Sequence, residues 1–446
     1  MSRQQSRIAI LVVSLLLWTG CAAFAQPNRK SQASEPCLAV SAANLADLER
    51  RRLTLEQTAA ALRARTETLA STTSAGSEAL TRAQQELARN QASLIDVLYK
   101  LECLRSDLQQ NSEVLRGAGT TLTMSLFYAT NRQPTDSRQA SAFYGADDTR
   151  RLTYGTTSIS IPSLHKAGEL ELPTLWKLER NPSPERHFLV GSVTPLDSAE
   201  AKAQISAALA TARSKSLLVF VHGYNVSFRE ASFRTAQLAH DLRFPGVVMF
   251  YSWPSAGAMM GYLHDVESSQ LSKAIFDQLL DDLSALKFED IYVVAHSLGN
   301  RVVGGTIADR VQGGKDVSQL REIMLAAPDI NVEIFKSEIA PKLAGIKTAT
   351  RTIYASSKDV ALKASSVVHA FPRVGDTKAG VFVYSGFDTI DATATAPMMR
   401  SFGHSYVLDS TIVLNDVEDV VVWRRPPAER TLRRMGTTPN LYWSLR

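Results

Sequence analysis

Residues 291–301 read Ile-Tyr-Val-Val-Ala-His-Ser-Leu-Gly-Asn-Arg, and this stretch constrains the fold more tightly than any other. An apolar, largely β-branched run enters a small-x-Ser-x-small turn, and a helical pattern from Gly299 to Val311 leaves it. A strand that passes into a helix through so short a turn must take a sharp corner. Side chains two before and two after the corner residue would collide, which is why Ala295 and Gly299 are small. The corner lifts the Ser297 hydroxyl above the end of the strand and turns the Leu298 N–H toward an oxyanion forming there. Ala295 stands where glycine is the commoner residue. The bland alternative is a surface strand–helix turn with no chemistry.

The flanking pattern supports the chemical reading. Strands are expected at 124–129, 156–161 and 187–193, then at 217–221, 247–251, 291–295, 322–326, 351–355 and 381–384. Helical patterns at 228–242, 268–286 and 299–311 alternate with the later strands. That alternation implies a mostly parallel sheet flanked by helices.

One strand–helix–strand unit before Ser297 lies Val221-His222-Gly223-Tyr224-Asn225. In sheets with this elbow, the second oxyanion donor comes from that loop. Gly223 permits close approach of the backbone; the Tyr224 N–H is the expected donor and Asn225 the next. The expected order along the chain is nucleophile, acid, histidine. His222 precedes Ser297, so packing beneath the loop is its expected role. Asp359, on a polar turn after the 351–355 strand, is the preferred acid, with Asp329 one strand earlier as the alternative. Two histidines follow Asp359. His369 falls in an expected helix, and His404, on a loop after the last expected strand, is the candidate base. Trp253, in Tyr-Ser-Trp-Pro-Ser at 251–255, suits either a substrate-pocket wall or a loop anchor, and Asn225 is a second pocket candidate. No CxxC, HExxH, P-loop or acidic calcium loop occurs, so neither a metal nor a cofactor is called for.

The segments FYATNR (127–132), VHGYNVSF (221–228), YSWPS (251–255), AHSLGNR (295–301), LAAPD (325–329), YASSKDVAL (354–362) and GHSYV (403–407) together resemble a bacterial family of α/β-hydrolases of unknown function, described as esterase- or lipase-like. The resemblance spans roughly 125–415. It implies the α/β-hydrolase fold over 122–420 and a Ser297–Asp359–His404 triad, and it supplies no substrate.

The N-terminal third lies outside that resemblance. Arg3 and Arg7 precede an apolar run from Ile8 to Trp18 and then small residues, the order of a secretory signal over 1–25. Two exits compete: cleavage after Ala23-Phe24-Ala25, or lipidation of Cys21 in Leu17-Trp18-Thr19-Gly20-Cys21. Either implies export, to the periplasm or to a membrane anchor facing it. Leu48, Leu55, Leu62 and Leu69 fall seven apart, as do Leu80, Leu87, Leu94, Leu101 and Leu108, with a breaker at 71–77. This predicts an antiparallel coiled-coil hairpin over 37–110, a surface for a protein partner; a single long dimerising helix is the alternative. A Cys37–Cys103 disulfide stays open, because the hairpin register puts Cys103 opposite Ala46.

Net charge is +5, but Arg3 and Arg7 sit in the signal and six more arginines crowd 421–446. The remainder is near neutral, and the composition gives no reason to expect nucleic acid as a partner. The basic C-terminal segment reads as a solvated tail. The expected activity is hydrolysis of a small or lipid-like ester. Two other readings share the features: acyl transfer within the envelope, and a non-enzymatic scaffold working through the coiled coil. No long apolar lid is evident between 299 and 351, which disfavours a triglyceride lipase.

Overall fold

The computed structural model describes residues 121–172, 183–257, 261–359, 362, 371–378, 380–395 and 406–445, with scattered helical positions between 50 and 97. Eleven strands form one sheet: β1 (Leu122–Pro134), β2 (Tyr144–Ile161), β3 (Leu189–Leu196), β4 (Ser216–Val221), β5 (Val247–Ser252), β6 (Asp290–His296), β7 (Leu320–Ala326), β8 (Thr350–Ala355), β9 (Asp388–Asp391), β10 (Leu432–Met435) and β11 (Tyr442–Leu445). Their order is β10-β11-β9-β8-β7-β6-β4-β5-β1-β2-β3. The run from β11 to β1 is parallel; β2, β3 and β10 join antiparallel.

The central strands read as unbroken apolar runs because both faces of the sheet are covered. Leu217, Val219 and Val221 of β4 enter one core cluster, with Ile291, Val293 and Ala295 of β6. Leu218 and Phe220, with Tyr292 and Val294, enter the opposite one. The two-residue period fixes the register, since a slip of one would exchange the faces. Helices α1 (Ser198–Thr211), α3 (Tyr262–Ser284) and α4 (Gly299–Gln312) supply the first cluster. Helices α2 (Phe228–Asp241) and α5 (Thr411–Val421) supply the second. A capping box starts α2: the Ser227 hydroxyl accepts from the Glu230 N–H, and the Glu230 carboxylate accepts from the Ser227 N–H. After β4 the chain crosses to β5 on one side; after α3 it returns to β6 on the other. The carboxyl ends of β4 and β6 therefore border a switch point, the usual place for a site in such sheets.

Two expectations are corrected. Residues 381–384 are not a strand; the ladder beside β8 is taken by β9, with Thr352 opposite Asp388. Phe382 and Tyr384 spend their apolar surface on rings instead: Phe382 meets Phe335 at 5.4 Å between centroids, and Tyr384 meets Phe387 at 5.9 Å. The segment 421–446 is not a solvated tail, and a boundary at 420 cuts α5. β11 lies parallel to β9, and β10 pairs with β11. Leu432 and Leu445 are buried, Arg430 pairs with the buried Asp416 at 3.2 Å, and Arg424 is bound to Asp290. The arginine-rich pattern hid apolar residues that anchor this edge.

Among the described residues, no helix is long and apolar enough to cross a membrane. The signal segment, Cys21, Cys37 and Cys103 lie outside the described residues. So does much of the segment expected to form the hairpin, 71–77 included. Its described positions are helical, Ala59, Leu80, Ala83 and Val97 are buried, and Arg65 lies 3.5 Å from Glu86.

Candidate active site

Ser297 sits between the end of β6 and the start of α4 with φ 53°, and it is buried. A positive φ is costly for a serine and persists only where its surroundings impose it. Those surroundings are specific. The Ser297 N–H donates to the Ala326 carbonyl at 3.0 Å. Its own carbonyl accepts from the Asn300 N–H at 3.1 Å and from Asn300 Nδ2 at 2.9 Å. Asn300 Nδ2 also reaches the Ala326 carbonyl at 3.0 Å, riveting the elbow to β7. A Cβ on Gly299 would come within 2.4 Å of the His222 carbonyl oxygen, so the helix can start there only with glycine. Leu298 heads α4, where first-turn N–H groups lack intrahelical partners and the helix dipole is positive.

The loop after β4 abuts the serine. A Cβ on Gly223 would fall 2.5 Å from the Cβ of Ser297. This loop is held at almost every step. The Trp253 indole N–H donates to the His222 carbonyl at 2.7 Å, and the two rings stack with centroids 5.0 Å apart. The Asn225 N–H donates to Asp265 Oδ2 at 3.1 Å, and the Val226 N–H to Ser255 Oγ at 3.1 Å. The Val226 carbonyl accepts from Arg132 Nη2 at 2.6 Å.

His222 lies at the centre of this support. Its Nε2 faces Ser252 Oγ at 3.2 Å and Arg132 Nη2 at 3.5 Å. A guanidinium only donates, so Nε2 accepts and the ring proton is on Nδ1. Nδ1 then donates to the Gly223 carbonyl at 2.9 Å. Burial, and then the nearby Arg132 charge, hold His222 well below the usual histidine range, so the ring is neutral. In a trans peptide the N–H points opposite the C=O. Fixing the Gly223 carbonyl on His222 therefore turns the Tyr224 N–H away from that ring.

The residue behind this arrangement is Arg132, at the end of β1. It is buried, and its Nε donates to Ser252 Oγ at 2.8 Å while Nη1 reaches the carbonyls of Gly145 (2.9 Å) and Ser255 (3.0 Å). Burial lowers its pKa to about 10, so it stays charged at neutral pH. Asp265 opposes it: fully buried, it accepts from Ser255 Oγ and the Ala256 N–H as well as from Asn225. Sequence reasoning gave neither residue a role. The available signal was a polar Asn-Arg pair, one of the two charged, closing an apolar strand in FYATNR.

The two candidate acids stand on neighbouring strands. Asp329 follows β7, and its carboxylate is heavily committed: Tyr262 Oη donates to Oδ2 at 2.8 Å, and Arg373 Nε lies 3.2 Å from Oδ1, with Arg301 Nη2 at 3.9 Å. Asp359 follows β8, is fully buried, and accepts the Leu362 N–H at 2.9 Å. His404 and His369 lie outside the described residues.

Two expectations change. Trp253 is fully buried and anchors the loop from beneath, so it does not wall a substrate pocket. The Asn225 N–H is spent on Asp265, which removes it as an oxyanion donor; its side-chain Oδ1 is buried without a hydrogen bond among the described residues. The packing role of His222 matches expectation. The Tyr224 ring meets Tyr262 edge-on at 5.3 Å. Among the described residues, no cluster of side chains suited to a metal ion occurs.

A mostly parallel sheet with helices on both faces, and a serine on a strained strand–helix elbow beside a glycine loop, define an α/β-hydrolase. The family model described as "Alpha/beta hydrolase of unknown function (DUF900)" matches residues 197–420, half of the chain, and the protein belongs to that family. Among solved structures, it is similar to an esterase from Pyrobaculum calidifontis at 10% identity, covering 78% of this chain and 98% of that one, with a TM-score of 0.32. A thermostable esterase from Pseudomonas putida matches at 10% identity over 72% and 87% of the two chains, TM-score 0.30. The carboxylesterase EstE1, cloned from a metagenomic library, matches at 12% identity over 75% and 95%, TM-score 0.31. No curated protein matches the chain.

Proposed function

We propose that the protein is an exported serine esterase. The observation that carries this reading is the contact between Ser297, at φ 53° on its elbow, and the backbone of Gly223. In the reaction Ser297 Oγ attacks the ester carbonyl while His404 takes its proton. The N–H groups of Leu298 and Tyr224 receive the oxyanion of the tetrahedral intermediate. As the intermediate collapses, the His404 imidazolium protonates the departing ester oxygen, which leaves as the alcohol, and water then hydrolyses the acyl-enzyme by the same route. Asp359 holds the tautomer of His404 and stabilises the imidazolium. The commitment of Asp329 to Tyr262 and Arg373 favours Asp359 for this task.

Turnover of short p-nitrophenyl esters and labelling by a fluorophosphonate test the reading. Both are expected in the mature protein and absent in Ser297→Ala; wild-type activity in that variant overturns it. Export rests on the Arg3–Trp18 pattern. The intact mass of the mature chain tests it: a start at Gln26 means release, a lipidated Cys21 means an anchor, and an uncleaved chain refutes both.

A further inference from the structure

Beside the nucleophile helix, a cavity of about 410 Å³ lies between α3, α4 and the 330–342 segment. That volume falls within the range of small-molecule sites, roughly 300–1,000 Å³. Ser297 does not line it. Arg301 and Arg373 give it a cationic wall, and Ile330 and Ile339 an apolar one. At its margin Ile334 and Phe371 are 47% and 55% exposed, large apolar surfaces left to solvent.

The charges are unbalanced. Arg373 is only 3% exposed, yet neither its Nε nor its Nη2 makes a hydrogen bond among the described residues. Its nearest carboxylate, Asp329 Oδ1, lies 3.2 Å from Nε and is also the one that faces Arg301, so one carboxylate serves two guanidinium groups. Elsewhere on the lining, Lys273 is matched by Asp309 at 2.6 Å, and Lys342 donates to the uncharged Gln312 Oε1 at 2.7 Å, with Glu338 as the remaining acid. Four cations thus meet three carboxylates, Asp329 included. A buried guanidinium with unused donors is costly, and a carboxylate or phosphate oxygen matches its fork.

We infer that this cavity binds an amphipathic oxyanion: a carboxylate or phosphate headgroup on Arg373 and Arg301, carried by an apolar chain lying along Ile330, Ile339 and Phe371. One such anion offsets the single excess positive charge, and its chain covers the exposed apolar margin. The site is separate from Ser297 and does not depend on the esterase reading. It is nonetheless close to it, because Arg301 Nε donates to the Asp329 carbonyl at 2.8 Å and the Asp329 N–H approaches the Ser297 carbonyl at 3.4 Å.

Calorimetric titration of the mature protein with octanoate, octyl phosphate, inorganic phosphate and octanol tests the inference. At least one of the two amphipathic anions should bind about tenfold or more tighter than either inorganic phosphate or octanol. Their relative affinity tells carboxylate from phosphate. Arg373→Gln should weaken that binding by at least about tenfold. Gly305→Leu provides a second variant: Gly305 lines the cavity from α4, a Cβ there meets the end of the flexible Lys273 chain at 2.9 Å, and the substitution leaves Arg373 itself in place. It too should abolish binding, and it decides the matter if Arg373→Gln does not fold. Equal binding of octanol, no binding of any compound, or wild-type affinity in Gly305→Leu overturns the inference; binding at Ser297 would survive both substitutions.

Discussion

Gly223 and Ser297 are so close that a single added methyl at 223 would stand 2.5 Å from the serine Cβ, nearer than real carbon atoms approach. Gly223→Ala must displace either Ser297 or the loop that carries the Tyr224 N–H. A misplacement of about 1 Å at a reacting centre costs roughly 10²-fold in rate. The expected outcome is a fall in kcat of that order with circular dichroism unchanged. Wild-type kcat in this variant would mean that the loop plays no part in catalysis.

Arg132 joins β1, the end of β5 with the segment after it, and the 222–226 loop through one guanidinium. Arg132→Met leaves the Ser252 hydroxyl and the carbonyls of Ser255 and Val226 without their guanidinium donor. Stranding a buried acceptor costs about 1–3 kcal/mol. Urea denaturation should show a loss of that size. Arg132→Lys should recover little of it, since an ammonium cannot reproduce the fork.

Asp359 and Asp329 should separate when each is changed to asparagine. Asp359→Asn is expected to lower kcat by roughly 10³–10⁴-fold with little change in melting temperature, as for an acid that orients a histidine. Asp329→Asn strips the buried Arg373 of its carboxylate and should chiefly lower stability, by about 3 kcal/mol. The opposite pattern would transfer the acid role to Asp329.

His165 predicts a pH dependence. Its side chain is 4% exposed, between Glu171 at 2.7 Å and Asp241 at 2.8 Å. Burial opposes its charge, but the two carboxylates prevail and raise it to about 9 from an ordinary 6.5. A raised folded-state value means that the contribution is complete below about 6.5 and disappears as pH climbs through 9. On the acid side, burial opposes the Glu171 charge as well, yet the His165 contact holds Glu171 below its ordinary 4.5, so its share is lost as pH falls. Melting temperature should therefore drop by several degrees between pH 6.5 and 9.5 in the wild type. His165→Gln should flatten that slope, and a parallel slope in the variant would contradict the assignment.

Ending the chain after Val422 removes β10 and β11 and takes Arg430 from Asp416. Among the described residues, the buried Asp416 then keeps the Tyr354 hydroxyl, at 2.6 Å, and no cation. Size-exclusion chromatography should show this truncated protein as aggregate; a soluble monomer would restore the reading of 421–446 as a dispensable tail.

The parts of this molecule legible in the sequence are those written locally. β4 and β6 are continuous apolar runs, and Ala295, Ser297 and Gly299 declare their corner within five residues. What escaped was written at long range. Arg132 meets partners 90 to 123 positions away, which no periodicity reveals. Trp253 at a strand end has the same local signature whether it faces a ligand or a histidine; only its contact with the His222 carbonyl decides. The 381–384 segment carries strand-like residues, yet ring packing claims them before the ladder does. At the C-terminus, the density of arginines masked two isolated apolar anchors, Leu432 and Leu445.

The outermost strand bears on how copies of this protein treat one another. A sheet edge offers unpaired N–H and C=O groups to any strand that arrives, and a long apolar edge invites polymerisation. β10 is four residues long, and two of them, Arg433 and Arg434, are exposed. A second molecule docking along the same edge would bring two such arginine pairs together at strand spacing. Arginines that in composition read as a solvated tail thus act here as a fence: they keep an eleven-stranded sheet from becoming a longer one.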